Sequence, residues 1–103
     1  MGFVKVGSLA TLPDGQARPV QASGQSIAIC RVGDTIYAVD GVCPHSGGPL
    51  GQGALHGTTL VCPWHAWEFD CVTGEYDRNP DLCLRRFDVQ VREGEIFVDA
   101  GTA

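Results

Sequence analysis

The sequence predicts an all-β fold, an antiparallel β-sandwich or small barrel formed as one domain over residues 1–103. Three observations predict it. Apolar residues alternate with period two in several short runs, the pattern of half-buried strands. No segment sustains a helical period. Fourteen glycines and six prolines require many turns and so divide the chain into short elements.

Taken in order, the first strand is expected at residues 3–6. A short helical turn follows at 8–12, where Ser8 is a candidate cap, and Pro13-Asp14-Gly15 marks a turn. Strands are expected at 26–32 and 35–39, joined through Gly33-Asp34, a two-residue hairpin turn. Another is expected at 59–62. The last two, 87–92 and 95–98, are joined through Glu93-Gly94 in the same way. No repeat, low-complexity tract or interdomain linker is evident. Residues 40–77 differ in composition. They contain all three histidines, and Gly47, Gly48, Pro49, Gly51, Gly53 and Gly57 crowd the space between two short motifs. The stretch reads as a loop-rich insertion carried on the β framework.

Composition excludes several function classes. Seven Lys+Arg against twelve Asp+Glu give a net charge of −5. This argues against nucleic acid and anionic membranes as partners; it reads first as ordinary solubility, with a partner carrying a basic docking patch as the less favoured reading. No apolar run approaches the ~20 residues of a transmembrane helix. Residues 1–5 lack the pattern of a signal peptide, so none is expected. Five cysteines, an odd number, disfavour a full disulfide framework. With two assigned to metal, Cys30, Cys71 and Cys83 are expected as free thiols, which fits a reducing cytosol and a cytoplasmic protein. A Cys71–Cys83 disulfide is the less favoured alternative. Cys30 follows Ile27 and Ile29 in a strand and reads as a small core residue.

The two motifs are Cys43-Pro44-His45 and Cys62-Pro63-Trp64-His65, separated by sixteen residues. Four such ligands can hold one zinc tetrahedrally or the two irons of a cluster. Zinc knuckles usually take two nearby cysteines from one loop, whereas here each loop offers one Cys and one His. That division suits a binuclear site, in which each loop sends its Cys to one iron and its His to the other.

These motifs, with Ser46-Gly47-Gly48-Pro49-Leu50, Ala66-Trp67-Glu68-Phe69-Asp70 and Thr73-Gly74 around them, resemble the soluble Rieske [2Fe–2S] ferredoxins and the Rieske domains of oxygenases. The resemblance covers nearly the whole chain. It implies a Rieske-like β framework with a cluster-binding subdomain at about 40–77 and one [2Fe–2S] cluster per chain. It implies that Cys43 and Cys62 ligate the inner iron as thiolates, and that His45 and His65 ligate the outer iron through Nδ1, with Nε2 toward solvent at the tip. Reduction adds one negative charge to such a site, so its potential is expected to fall as pH rises through the ligand pKa. By the same resemblance, Pro80 belongs to a loop that covers the cluster. Trp67 reads as a core filler, Trp64 equally as a cover or a core residue, and His56 as an exposed loop residue. Arg85-Arg86 reads as ordinary strand surface, with partner docking as the less favoured role.

The implied function is a one-electron carrier, not an enzyme. It takes electrons from a flavin-dependent reductase and passes them to a terminal oxygenase. With His45 and His65 on a cluster, only His56 remains, too few for the two-histidine, one-carboxylate iron site that an oxygenase needs. The alternatives are a small subunit of an assimilatory NAD(P)H nitrite reductase and a structural zinc protein.

Two departures from the family pattern set the expected potential. Rieske proteins of the cytochrome bc type have a loop disulfide at the positions of Gly48 and Trp64, which cannot form here. They also have Ser and Tyr hydroxyls at the positions of Trp67 and Phe69. Hydrogen bonds to the sulfurs stabilise the reduced state, and their loss lowers the potential. A redox titration is expected to give a value at the low end of the Rieske range, about −150 mV; a value above about +100 mV overturns this.

Overall fold

The computed structural model describes residues 2–43, 47–64, 66–76 and 78–100, the side chains of 79–81 excepted. Eleven strands form among these described residues: β1 (Val4–Ser8), β2 (Ala17–Ala22), β3 (Gln25–Val32), β4 (Thr35–Asp40), β5 (Ala54–His56), β6 (Thr59–Val61), β7 (Glu68–Asp70), β8 (Glu75–Tyr76), β9 (Asn79–Cys83), β10 (Arg86–Arg92) and β11 (Glu95–Asp99). All ladders are antiparallel, in a six-stranded sheet of order β1-β11-β10-β4-β3-β2 and a five-stranded sheet of order β5-β6-β7-β8-β9. The fold is the expected all-β one. The six-stranded sheet curls into a nearly closed barrel, and the second sheet covers one of its faces.

Each expected strand is present, with its ends moved by a residue or two. Five strands are additional. β2 is polar and contains Pro19, which removes a ladder donor; it is tolerated because β2 ends the strand order of its sheet. The turn between β2 and β3 is Ser23-Gly24, with both residues at positive φ, 52° and 77°. β5, β7, β8 and β9 span two to five residues each, too short for an alternation to register. They convert the expected loop-rich insertion into a sheet that runs beyond residue 77 to Cys83. The turn expected at 8–12 is a single 3₁₀ turn, Leu9–Thr11. Ser8 is its N-cap residue, as expected, and Thr11 completes the cap: the Thr11 hydroxyl donates to the Ser8 carbonyl at 3.0 Å and accepts from the Ser8 N–H at 3.4 Å.

Strand β3 lies between two cores. Ile27 and Ile29 point into the barrel with Leu12, Ile96 and Val98. Ala28 and Cys30 point the other way, into the layer formed with Leu50, Leu60 and Phe69. The strand is therefore buried on both faces from 27 to 30. Small side chains on the second face leave room for the five-stranded sheet.

The chain leaves the barrel after β4 and returns at Arg85, and these two points are stapled. Asp40 N–H donates to the Arg85 carbonyl at 3.0 Å, and Arg85 N–H donates to Asp40 Oδ2 at 2.8 Å. The Arg85 guanidinium also lies 3.6 Å from Asp40 and 5.1 Å from the Phe87 ring. Arg86 donates to the Val72 carbonyl at 3.3 Å. Both arginines thus have contacts within the chain. Everything between Asp40 and Arg85 is a closed excursion, and it contains both Cys/His motifs.

Candidate metal centre

The two motifs begin loops that are closed in the same way. In the first, Cys43 N–H donates to the Gly48 carbonyl at 2.9 Å, and Gly47 N–H donates back to the Cys43 carbonyl at 2.8 Å. In the second, Cys62 N–H donates to the Trp67 carbonyl at 2.8 Å, and Ala66 N–H donates back to the Cys62 carbonyl at 3.0 Å. The fourth residue after each cysteine has positive φ, 75° at Gly47 and 58° at Ala66. The same backbone closure therefore recurs at the two cysteines, where no sequence repeat was expected. Only Cys-Pro is shared between the two segments, so residue identity does not reveal it. A Cys-Pro pair followed three residues later by Gly or Ala was the available signal.

The first loop is anchored below by Leu50, whose N–H donates to the Gly41 carbonyl at 2.9 Å. Its 3₁₀ turn, Leu50–Gln52, rests on β2: a Cβ on Gly51 would lie 2.5 Å from the Pro19 Cα. The second loop connects β6 to β7. Trp67 stacks on Tyr76 with ring centroids 4.3 Å apart, and Phe69 packs beside both, fully buried. Trp67 is therefore the core filler expected of it.

Cys43 and Cys62 are each 1 % exposed and share one core cluster. The loops meet closely. A Cβ on Gly48 would stand 3.0 Å from Cys62 Sγ and 3.0 Å from Trp64 Cγ. Gly48 therefore keeps open the space beside a buried thiol, and Gly48 and Trp64 are neighbours. Trp64 itself is 54 % exposed, which makes it a surface residue of this end rather than a core residue. Val42, at the start of the first loop, is 49 % exposed. These are the two most exposed large apolar side chains among the described residues, and both flank the cysteine loops.

His45, Pro44 and Ser46, and His65 in the second loop, lie outside the described residues. Among the described residues, no group of three or more His, Cys, Asp or Glu side chains forms a metal site. His56 is exposed at the end of β5, paired in register with Thr59. Pro80 lies in β9 rather than in a loop, and its side chain is outside the description.

None of the five cysteines forms a disulfide, and Cys30, Cys71 and Cys83 are the thiols expected outside the two motifs. Cys83 is exposed and donates to the Thr73 carbonyl at 3.4 Å. The partner of Cys71 is Cys30: their side chains are hydrogen-bonded. Cys30 S–H donates, so its proton is held by the Cys71 sulfur and by burial, and its pKa is pushed far up. The bond that Cys71 accepts stabilises its thiolate and draws its pKa down, against the opposing effect of burial.

Charge is distributed unevenly. Residues 40–77 contain Asp40, Glu68, Asp70, Glu75 and Asp77 and no Lys or Arg, so they account for the whole net charge of −5. On β7, Phe69 points inward, which places Glu68 and Asp70 on the outer face of the second sheet. No described helix is long and apolar enough to cross a membrane.

Comparison with known proteins matches residues 2–88 to the Rieske [2Fe–2S] domain. Ferredoxin CarAc of Metapseudomonas resinovorans is 35 % identical over 98 residues, covering 93 % of this chain and 92 % of its own length. A ferredoxin chain solved in a complex of reduced oxygenase and oxidised ferredoxin of carbazole 1,9a-dioxygenase is 33 % identical, with a TM-score of 0.87 over 98 % of this chain and 95 % of that one. A protein of Mycobacterium tuberculosis assigned as an NADH-dependent nitrite reductase small subunit is 22 % identical, with a TM-score of 0.88 over 99 % and 97 % of the two chains. That last likeness concerns the fold alone.

Ala66 is the non-glycine member of the two equivalent left-handed positions. Left-handed backbone costs an alanine about 1–2 kcal/mol; the greater unfolded-state freedom of glycine offsets about 0.5–1 kcal/mol of the relief. Ala66→Gly is therefore expected to raise unfolding stability by about 0.5–1 kcal/mol in urea titration. A loss of stability would show that the two loops are not conformational equivalents.

Proposed function

The chain belongs to the Rieske [2Fe–2S] family, and from that premise we propose that it is a soluble cytoplasmic one-electron carrier of an oxygenase system. The observation that carries this is the pair of buried thiols, Cys43 and Cys62, at the heads of two identically closed loops that touch through Gly48. In this reading residues 1–103 act as one Rieske domain. Cys43, Cys62, His45 and His65 hold one [2Fe–2S] cluster, and the cluster-binding subdomain is centred on 40–77.

The residues present fit that group. Two soft thiol donors are buried in one core cluster, and the glycine at 48 leaves space beside the Cys62 sulfur. When bound, a Rieske cluster supplies a one-electron couple. The chain's own residues do the rest. The hydrogen bonds from Cys43 and Cys62 N–H fix the two loops, and the Asp40–Arg85 staple fixes the segment on the barrel. Core residues Leu50, Leu60 and Phe69 keep water from the thiol side. Trp67 and Phe69 bring no hydroxyl to positions where the higher-potential relatives have one.

The partners follow from the surface. Val42 and Trp64 provide an apolar contact at the loop end. The acidic 40–77 segment around it favours an acceptor with a basic face. The acceptor is an oxygenase and the donor a flavin-dependent reductase, the arrangement of ferredoxin components in such systems. An electron-transfer assay with both partners tests the assignment.

The ligand set is tested by reduced-state EPR. Cys62→Ser and His65→Cys are expected to abolish the Rieske signal, whereas His56→Ala leaves it intact. Colourless protein containing one zinc, even after anaerobic reconstitution with iron and sulfide, overturns the cluster. Ionic strength tests the docking charge. The rate to the acceptor is expected to fall about tenfold between low and high salt. Glu68→Lys should weaken that dependence, and Asp34→Lys, on the β3–β4 turn, should not. A rate independent of salt removes the basic-face acceptor.

A further inference from the structure

Two thiols have no part in the site described above, yet they lie together. Cys30 is in β3, on the face turned toward the second sheet, and Cys71 follows β7. They are 0 % and 1 % exposed, belong to one core cluster, and are joined by a side-chain hydrogen bond. The cross-strand register supports this placement. Cys30 stands opposite Tyr37 on β4, and Tyr37 and Cys71 line the same groove.

We propose that Cys30 and Cys71 are a redox-active thiol pair, oxidised by hydrogen peroxide to a disulfide that closes the chain into a ring around both cysteine loops.

The groove gives the oxidant its route. β10 pairs with β4 only at Arg86↔Val39 and Phe87↔Ala38, and beyond that the strands diverge. The gap holds about 430 Å³ and is lined by Ile36, Tyr37, Ala38, Cys71, Arg86 and Phe87 among others; Cys30 does not border it. Peroxide, little larger than water, therefore meets Cys71 first. The Cys71 sulfur, as thiolate, attacks one peroxide oxygen. An S–O bond forms, the O–O bond breaks, and the departing hydroxide takes a proton to become water. The Cys30 sulfur then attacks the Cys71 sulfenic acid. The S–S bond forms, the S–O bond breaks, and hydroxide leaves as water with the Cys30 proton. Two thiols and one peroxide thus give one disulfide and two waters. The groove assigns these roles, since Cys71 borders it and Cys30 lies behind, shielded until it resolves the intermediate.

The sequence position of the bond gives its consequence. Residues 43–65, with both Cys/His motifs, lie between Cys30 and Cys71. A covalent closure there ties β3 of the barrel to the far end of the excursion and restricts the unfolded chain. The oxidised protein therefore retains its loop-bearing segment when metal is lost.

The test uses the protein as isolated. It is treated with a few equivalents of hydrogen peroxide, denatured, alkylated with N-ethylmaleimide and cleaved after Arg and Glu. Cleavage at Arg31 separates Cys30 from Cys43, and cleavage at Glu68 and Glu75 isolates Cys71 from Cys62 and Cys83. Mass spectrometry is expected to find a Cys30–Cys71 cross-linked peptide in most molecules, lost on dithiothreitol treatment. The guanidinium midpoint should be higher before that treatment than after it. In Cys30→Ala, Cys71 should stop at the sulfenic acid and gain a dimedone adduct. Should that variant not fold, the wild-type peptide map decides alone. Maleimide on both Cys30 and Cys71 after peroxide, sulfinic acid on Cys71 with Cys30 still a thiol, or Cys71 joined to Cys83 or to Cys62 would each overturn the proposal.

Discussion

The contact of Gly48 with the Cys62 sulfur sets the terms for the rest of this molecule. It brings together two loops that start from different strands, and it tolerates no side chain at position 48 without displacing a buried sulfur or the Trp64 ring. A contact this close requires both loops to be fixed independently. Each achieves this by the same two backbone hydrogen bonds around its cysteine. The first loop accommodates the left-handed residue with a glycine, whereas the second places Ala66 there, at a cost that the surrounding packing of Trp67 on Tyr76 must offset.

Fixing the loops is not enough unless their common support is fixed too. The second sheet has strands of two to five residues, too short to be stable alone. It is stable here because Leu55, Leu60 and Phe69 bury against Ala28, Cys30 and Val39 of the barrel. The entry and exit of the excursion are joined at Asp40 and Arg85 by two backbone-anchored hydrogen bonds. The charge of that pair adds little, since the Arg85 side chain is largely exposed; the geometry of the neck is the contribution.

This architecture separates two surfaces. The barrel balances its charges, while the excursion has five acidic residues and no Lys or Arg within 40–77. In the docking proposed above, long-range attraction to a basic partner would orient the molecule with its loop end forward, and Val42 and Trp64 would provide the short-range apolar contact. The reverse side of the same excursion packs on the outside of the barrel, in the second core, where Cys30 and Cys71 lie together and away from that surface. One segment thus presents distinct chemistries on its two sides.

Much of this was legible in residue order. Alternation in β3, β4, β10 and β11, with Gly33-Asp34 and Glu93-Gly94 between them, defined the barrel strands, because period two along a strand is a local property. Cys43-Pro44-His45 and Cys62-Pro63-Trp64-His65 pointed to a metal, because ligand chemistry and spacing are written in residue type. Other features depended on contacts between distant residues. β5, β7, β8 and β9 are too short to show a period and exist as strands only because neighbours complete their ladders. The equivalence of the two loops rests on backbone hydrogen bonds that share just Cys-Pro in sequence. The partner of Cys71 proved to be Cys30, forty-one positions away, and not the nearer Cys83. Sequence thus determined the strand class and the candidate ligands, which local periodicity and side-chain type encode. Tertiary structure alone decided which loops touch and which thiols meet, because those depend on how remote segments pack.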